Sequence, residues 1–215
     1  MTLSLFERGG DPEREALAPG AELLRGFALP FEQALLAGVR EVAAAAPFRH
    51  MVTPGGFRMS VGMTNCGALG WVSDLDGYRY TSLDPERGSP WPSMPLAFTS
   101  LATAAAAAAG FSGFHPDACL VNRYEPGARL TLHQDKDERD FGAPIVSVSL
   151  GLPATFLFGG LTRAERPRRI PLVHGDVVVW GGPSRLRYHG VLKLEDGEHV
   201  SFGSYRVNLT FRRAA

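Results

Sequence analysis

Val146-Ser-Val-Ser-Leu150 alternates branched apolar residues with serine, and Ile145 extends the run upstream. A period of two sends successive side chains to opposite faces of a strand, here one apolar and one polar. The segment belongs to a series of short strand candidates that starts at Ala118: Ala118–Tyr124, Arg129–His133, Ile145–Leu150, Ala154–Phe158, Arg169–Leu172, Asp176–Trp180, Tyr188–Val191 and Arg206–Phe211. About eight short strands separated by Gly- and Pro-rich turns predict a closed barrel or a double-sheet jelly roll. The fold class is therefore mainly β, with α+β character from what lies upstream.

Upstream of Ala118, Leu96 to Ala109 is an alanine-rich helix ended by Gly110. Alanine is the best helix former, and its small side chain suits close packing on a sheet. Residues 51–95 are rich in Gly and Pro and hold short aromatic runs such as Gly77-Tyr-Arg-Tyr-Thr81, with turn clusters at Asp84-Pro85 and Ser89-Pro90. That composition predicts hairpins and loops that cover something rather than form core. From Glu32 to Ala46 the spacing of Leu35, Leu36, Val39 and Val42 predicts another helix, with Gly38 its weak point. Residues up to about Arg14 read as a loose arm.

At 215 residues the chain fits one domain with a sizeable core. Its 22 basic and 22 acidic residues cancel, so no global positive field gathers phosphates, and only a local basic groove stays open. The basic residues are arginine except for Lys136 and Lys193. Two cysteines, Cys66 and Cys119, form neither a CxxC pair nor a disulfide framework and read as buried thiols in a reducing compartment. The N-terminus lacks a charged segment followed by an apolar one, and the apolar stretch Ala102–Ala109 is too short for a bilayer. The expectation is a cytoplasmic protein away from membranes.

Three His-x-Asp triplets occur: His115-Pro-Asp117, His133-Gln-Asp135 and His174-Gly-Asp176. On a strand, residues two apart point the same way, so His-x-Asp supplies half of the two-His, one-carboxylate face that a non-haem Fe(II) centre needs. The triplet is weak by itself. Pro and Asp are ordinary turn residues, which accounts for His115-Pro-Asp117, and Asp176 reads as fixing a turn into Val177-Val-Val-Trp180. His133-Gln-Asp135 ends a strand and opens into the charged loop Lys136-Asp-Glu-Arg-Asp140. There a site and a solvated charge cluster are equally open. A second histidine able to face the first is His189, in Arg187-Tyr-His-Gly190.

In Arg206-Val-Asn-Leu-Thr-Phe-Arg212, the residues Arg206, Asn208, Thr210 and Arg212 share one strand face, and Val207, Leu209 and Phe211 the other. The two arginines lie about 20 Å apart along the backbone. They can lean inward to bracket a short diacid, since guanidinium donors match carboxylates bidentately. The bland alternative is a half-exposed strand with its polar face in water. Asn122 and Tyr124 alternate on another strand and offer neutral donors.

Read in order, these residues resemble the bacterial AlkB family of nucleic-acid dealkylases. The matching blocks are Asn122-Arg-Tyr124, Leu132-His-Gln-Asp-Lys-Asp-Glu138, Ser147-Val-Ser-Leu-Gly-Leu152, Gly175-Asp-Val-Val-Val-Trp-Gly-Gly182, Tyr188-His-Gly190 and Arg206-x-Asn-Leu-Thr-Phe-Arg212, with Met63-Thr-Asn-Cys-Gly67 and Leu69-Gly-Trp71 upstream. The resemblance covers residues 48 to 213. It implies a double-stranded β-helix whose Fe(II) is held by His133, Asp135 and His189. It further implies 2-oxoglutarate against Asn122, Tyr124, Arg206, Asn208 and Arg212, with O₂ as the oxidant. The implied layout is a single catalytic domain: an N-terminal extension and helix (1–50), a nucleotide-recognition lid of hairpins (51–95), a buttressing helix (96–117) and a jelly-roll core (118–215).

The implied substrate is an alkylated base, such as 1-methyladenine or 3-methylcytosine, in single-stranded DNA or flipped from a duplex, with RNA as a further target. Trp71 would stack on the base and Asp137 would meet its exocyclic amine. Tyr78, Arg79, Tyr80 and Arg163 would contact the nucleic acid, since stacking on aromatics is how unpaired bases are held. The protein is expected to act as a monomer. Arg187 and Phe57 depart from the family pattern and bear on substrate choice. An oxygenase acting on protein or a small molecule would keep the iron and arginine residues without the aromatic lid, and a plain nucleic-acid-binding module would not need His133, Asp135 and His189 together.

Overall fold

The computed structural model describes residues 13–215; the arm expected before Arg14 lies almost entirely outside them. The described chain opens with a hairpin, β1 (Arg14–Ala18) and β2 (Ala21–Leu24), followed by helix α1 (Glu32–Ala45). Next come β3 (Gly62–Gly67), a hairpin of β4 (Gly70–Asp74) and β5 (Gly77–Thr81), a two-residue pairing of β6 (Leu83–Asp84) with β7 (Ser89–Pro90), and helix α2 (Leu96–Ala108). Eight strands complete it: β8 (Ala118–Tyr124), β9 (Leu130–His133), β10 (Ile145–Gly151), β11 (Ala154–Phe158), β12 (Arg168–Leu172), β13 (Val177–Trp180), β14 (His189–Val191) and β15 (Arg206–Arg212).

These form a seven-stranded sheet ordered β1-β2-β13-β10-β15-β8-β3 and a four-stranded sheet ordered β12-β11-β14-β9. All named pairings are antiparallel. This is the expected jelly roll. The outer face of the large sheet, with Val146, Val148, Leu209 and Phe211, packs on Leu35, Val39, Val42, Phe98, Leu101 and Ala105 of the two helices. The inner face meets the small sheet through Phe156, Phe158, Ile170, Val178 and Trp180.

The helices approach closely at Gly38, where a Cβ would stand 2.7 Å from the buried Phe98 ring. The residue that weakens the helical pattern is thus the one that lets α1 meet α2. Gly110 follows the α2 C-cap, Ala109, with φ +87°, a conformation glycine adopts without steric cost. No helix among the described residues is long and apolar enough to cross a membrane.

Two parts of the sheet differ from expectation. The segment 51–95, read as cover, contributes β3 to the large sheet, buried along most of its length and paired with β8. Its polar residues find tertiary partners: Thr64 Oγ1 donates to the Ala46 carbonyl (2.7 Å), and the Asn65 side chain bonds both backbone groups of Trp71 (2.9 and 3.0 Å). Pairing of β2 with β13 likewise draws Ala21–Leu24 into the sheet. The polar face of β15 is not in water: all seven residues are buried.

Candidate metal and co-substrate site

His133 ends β9 and lies directly opposite His189 at the start of β14, with ring centroids 4.4 Å apart. Asp135 lies two residues on, in the rim loop. Each ring spends Nδ1 on its own strand: His133 Nδ1 lies 2.8 Å from the Thr131 carbonyl and His189 Nδ1 3.0 Å from that of Arg187. A carbonyl can only accept, so Nδ1 carries the proton and Nε2 keeps its lone pair. Those Nε2 atoms lie 3.6 and 3.7 Å from the Asp135 carboxylate oxygens, and the three ligand atoms gather within 4.8 Å. Burial, reinforced by the adjacent His133, pushes the His189 pKa down to about 4. Burial alone would raise the Asp135 pKa, but the Arg212 guanidinium beside it, together with His189 and His133, outweighs that and holds it well below the usual carboxylate range.

The other two His-x-Asp triplets are structural, as expected. Asp117 accepts the backbone N–H groups of Ala214 and Ala215 (2.7 and 3.1 Å). Asp176 accepts those of Gly26 and Val173, and Arg25 pairs with it at 2.8 Å. His174 Nδ1 accepts the Gly151 N–H at 3.0 Å.

The inward row of β15 continues the site. Asn208 donates to Ser147 Oγ (2.8 Å) and the Val148 carbonyl (3.0 Å), and its Oδ1 accepts from Asn122 and Thr210. Arg206 is 1% exposed, lies 5.1 Å over the Tyr124 ring and donates to Ser149 Oγ at 2.9 Å. Its Nε and Nη1 have no partner, nor does Asn122 Oδ1. Arg212 is committed elsewhere: Nε and Nη2 both reach Asp135 Oδ2 (2.9 and 2.6 Å).

A cavity of about 850 Å³ joins these groups and opens past the β4–β5 hairpin. At its mouth Trp71 stacks on Tyr78, centroids 5.6 Å apart and planes within 12°, while Trp71 Nε1 donates to Asp137 Oδ2 at 2.8 Å. Tyr80 reaches inward and donates to Glu138 at 2.8 Å. Arg163 lies over the Tyr188 ring at 5.9 Å and lines the cavity, as does Phe57, which is 76% exposed. Arg79 does not join them. It alternates with Tyr78 and Tyr80, so it faces away from the cavity and pairs with Asp74 (2.6 Å). Arg187 likewise turns from the cavity, donating to the Gly159 carbonyl (2.8 Å) and Ser184 Oγ (3.1 Å).

The family model of the 2OG-Fe(II) oxygenase superfamily matches residues 20–212. The chain belongs to that superfamily. It is 60% identical over 204 residues to the alpha-ketoglutarate-dependent dioxygenase AlkB of Salmonella typhimurium, covering 95% of this chain and 94% of the relative. With the protein of the same name from Escherichia coli K12 it shares 57% over 212 residues, covering 99% and 98%. The solved structure of OsALKBH1 superposes with a TM-score of 0.83 at 28% identity, covering 94% of this chain and all of that one.

As a 2OG-Fe(II) oxygenase the protein is a 2-oxoglutarate-dependent dioxygenase using Fe(II) and O₂, and its residues fit both groups. Two imidazole lone pairs and one ionised carboxylate are the donor set of a facial triad. A buried guanidinium with two unpartnered nitrogens demands an anion, since an unpaired buried charge costs several kcal/mol; a dicarboxylate supplies one. Glu138, Arg185, Ser147 and Ser149 also shape the site and escaped sequence reasoning. Only the alternating pattern of β10 hinted at the serines; Glu138 sits in a run of charges that reads as solvated.

Proposed function

We propose that this oxygenase removes alkyl groups from N-alkylated bases, such as 1-methyladenine and 3-methylcytosine, in DNA, with RNA as a further target, releasing succinate, CO₂ and an aldehyde. The observation that carries the reading is the stacked Trp71–Tyr78 pair opening into the same cavity as the His133–Asp135–His189 group. An aromatic step above a redox-capable metal site suits a flat, unpaired base. The AlkB sequence pattern supports the same substrate.

In this reading His133, Asp135 and His189 hold Fe(II), and Arg206, with Tyr124 behind it, takes the distal carboxylate of 2-oxoglutarate. Asn122 and Asn208 line the space between, and Arg212 holds Asp135 ionised. Bound there, Fe(II) and 2-oxoglutarate would supply the O₂ activation that oxidation of the alkyl carbon needs. The protein binds, orients and excludes water. Trp71 stacks on the base, Asp137 accepts from its exocyclic amine, and Tyr78, Tyr80 and Arg163 meet the flanking strand. An alkylated base pairs poorly, so extruding it costs less than extruding a normal one, and selectivity needs no broad basic surface.

The test is turnover of a short single-stranded DNA carrying 1-methyladenine or 3-methylcytosine, with succinate and repaired base measured together. Both should appear in step and vanish without iron. Succinate without repair would keep the oxygenase and discard this substrate.

A further inference from the structure

Regular structure joins the proposed iron ligands only in part. Asp135 stands outside β9, in the loop that runs from 134 to 144, while His189 opens β14, paired with β9 and β11, after a 3-10 turn at Gly182–Ser184 and the stretch on to Tyr188. The β9–β14 pairing shifts register just beyond His189. One side chain spans the gap. Arg185 is 3% exposed, and its planar head reaches three points of the rim loop at once. Nη1 donates to the Asp135 carbonyl at 2.8 Å, Nε donates to the Ala143 carbonyl at 3.1 Å, and Nη2 lies 3.1 Å from Glu138 Oε2. The Phe141 ring faces the guanidinium at 5.4 Å. Beside it Gln134 donates to the Leu186 carbonyl at 2.6 Å, a second tie between the same segments.

Glu138 extends the frame. Its Oε1 accepts the Tyr80 hydroxyl at 2.8 Å and lies 3.2 Å from Arg212 Nε. Its side chain is 2% exposed. A buried ion pair adds little stability over an apolar pair of the same volume, so folding alone does not account for this one. What a forked guanidinium adds is directional fixation of several acceptors at once.

We infer that Arg185 is a positioning residue for the metal site, holding the Asp135 segment against the His189 segment and, through Glu138, tying the Tyr80 hairpin to the same frame. The inference rests on the reading that His133, Asp135 and His189 hold the metal. Loss of such a support lowers metal affinity by about 10–100-fold in comparable sites.

The experiment is an anaerobic Co(II) titration of metal-stripped protein, read by calorimetry and by the visible Co(II) absorption, on wild type, Arg185→Met, Arg185→Lys and Glu138→Gln. Leu35→Ala, in the helix-facing core, serves as a destabilised control, and thermal midpoints are recorded for all. Arg185→Met should bind Co(II) about 10–100-fold more weakly with an altered spectrum, Arg185→Lys should recover part of the loss, and Leu35→Ala should bind as wild type. Wild-type affinity and spectrum in Arg185→Met, or an equal loss in Leu35→Ala at a matching thermal midpoint, would overturn the inference. Should Arg185→Met fail to fold, Arg185→Lys and Glu138→Gln decide it by the same readings. A wild-type protein that takes up no Co(II) would sink the metal-site reading itself, a different result.

Discussion

At the scale of single residues, three histidines illustrate how a fold selects among identical motifs. His133, His115 and His174 all precede an aspartate by two positions; His174 lies 4.5 Å from the His199 ring, but among the described residues only His133 meets a second imidazole across a strand pair, with its own aspartate facing both rings. Asp117 and Asp176 are saturated by backbone N–H groups, whereas Asp135 takes only Arg212 and faces two lone pairs. Replacing His133, which is partly exposed, by alanine should abolish succinate formation while leaving the thermal midpoint of metal-free protein within about 2 °C, since exposed substitutions shift stability by about 0.5 kcal/mol or less. Trp71→Ala should leave kcat within a few-fold and raise KM for methylated oligonucleotide about ten-fold or more, because stacking contributes about 1–3 kcal/mol per base. An unchanged KM would remove Trp71 from the substrate side. Glu138 and Arg185 were not legible beforehand, because a glutamate among charges and an arginine in a Gly-Pro-Ser turn carry no local sign of burial.

At the scale of elements, both helices and the strands from Ala118 onward follow the sequence pattern to within a residue or so. Period and breakers are local properties, so local reading finds them. β3 was missed because Gly62-Met-Thr-Asn-Cys-Gly67 has no clean alternation and satisfies its polar groups through residues distant in the chain. β15 reads as amphipathic, and its inward polar row is completed only by Ser147, Ser149 and Asn122 on neighbouring strands. Helix packing gives a prediction of its own. Gly38→Val brings a branched side chain against Phe98, where even a Cβ would sit at 2.7 Å. Overpacking should cost about 1–3 kcal/mol, lowering the thermal midpoint by several degrees at unchanged metal affinity. A midpoint at or above wild type would mean the helices separate freely.

At the scale of the whole molecule, charge and protonation set the conditions under which it works. With a formal net charge of zero, attraction to nucleic acid comes from the few exposed cations at the mouth, Arg58, Arg129, Lys136 and Arg163. At about 0.7 per phosphate for single strands, log K should fall with log salt at a slope no steeper than about −3; a slope near −5 would reveal a wider basic track. Acid stability follows from His189. Its folded pKa, about 4, lies below the ordinary histidine value of about 6.5. The unfolded chain therefore binds more protons between those values, and the contribution is complete above pH ~6.5 and lost as pH falls toward 4. The difference amounts to about 3 kcal/mol. Denaturant midpoints of metal-free protein should fall across that window, and His189→Gln should flatten the fall.

The strand series, the two helices and the order of the metal and arginine residues follow from the chain itself, because periodicity, turn chemistry and spacing are written locally. The family pattern made their joint purpose readable. Sheet order, however, decided which of three His-x-Asp triplets faces a second histidine across a strand pair, and pairing between β9 and β14 is a contact between residues 56 positions apart. Burial decided the rest. Arg206 acquires unpartnered donors and Arg185 becomes a strut only when the sheets and the rim loop close over them, whereas Arg79 stays part-exposed on its hairpin, paired with Asp74. A polar side chain has the same chemistry in water or in a core, and only its neighbours determine whether it is solvated or put to use.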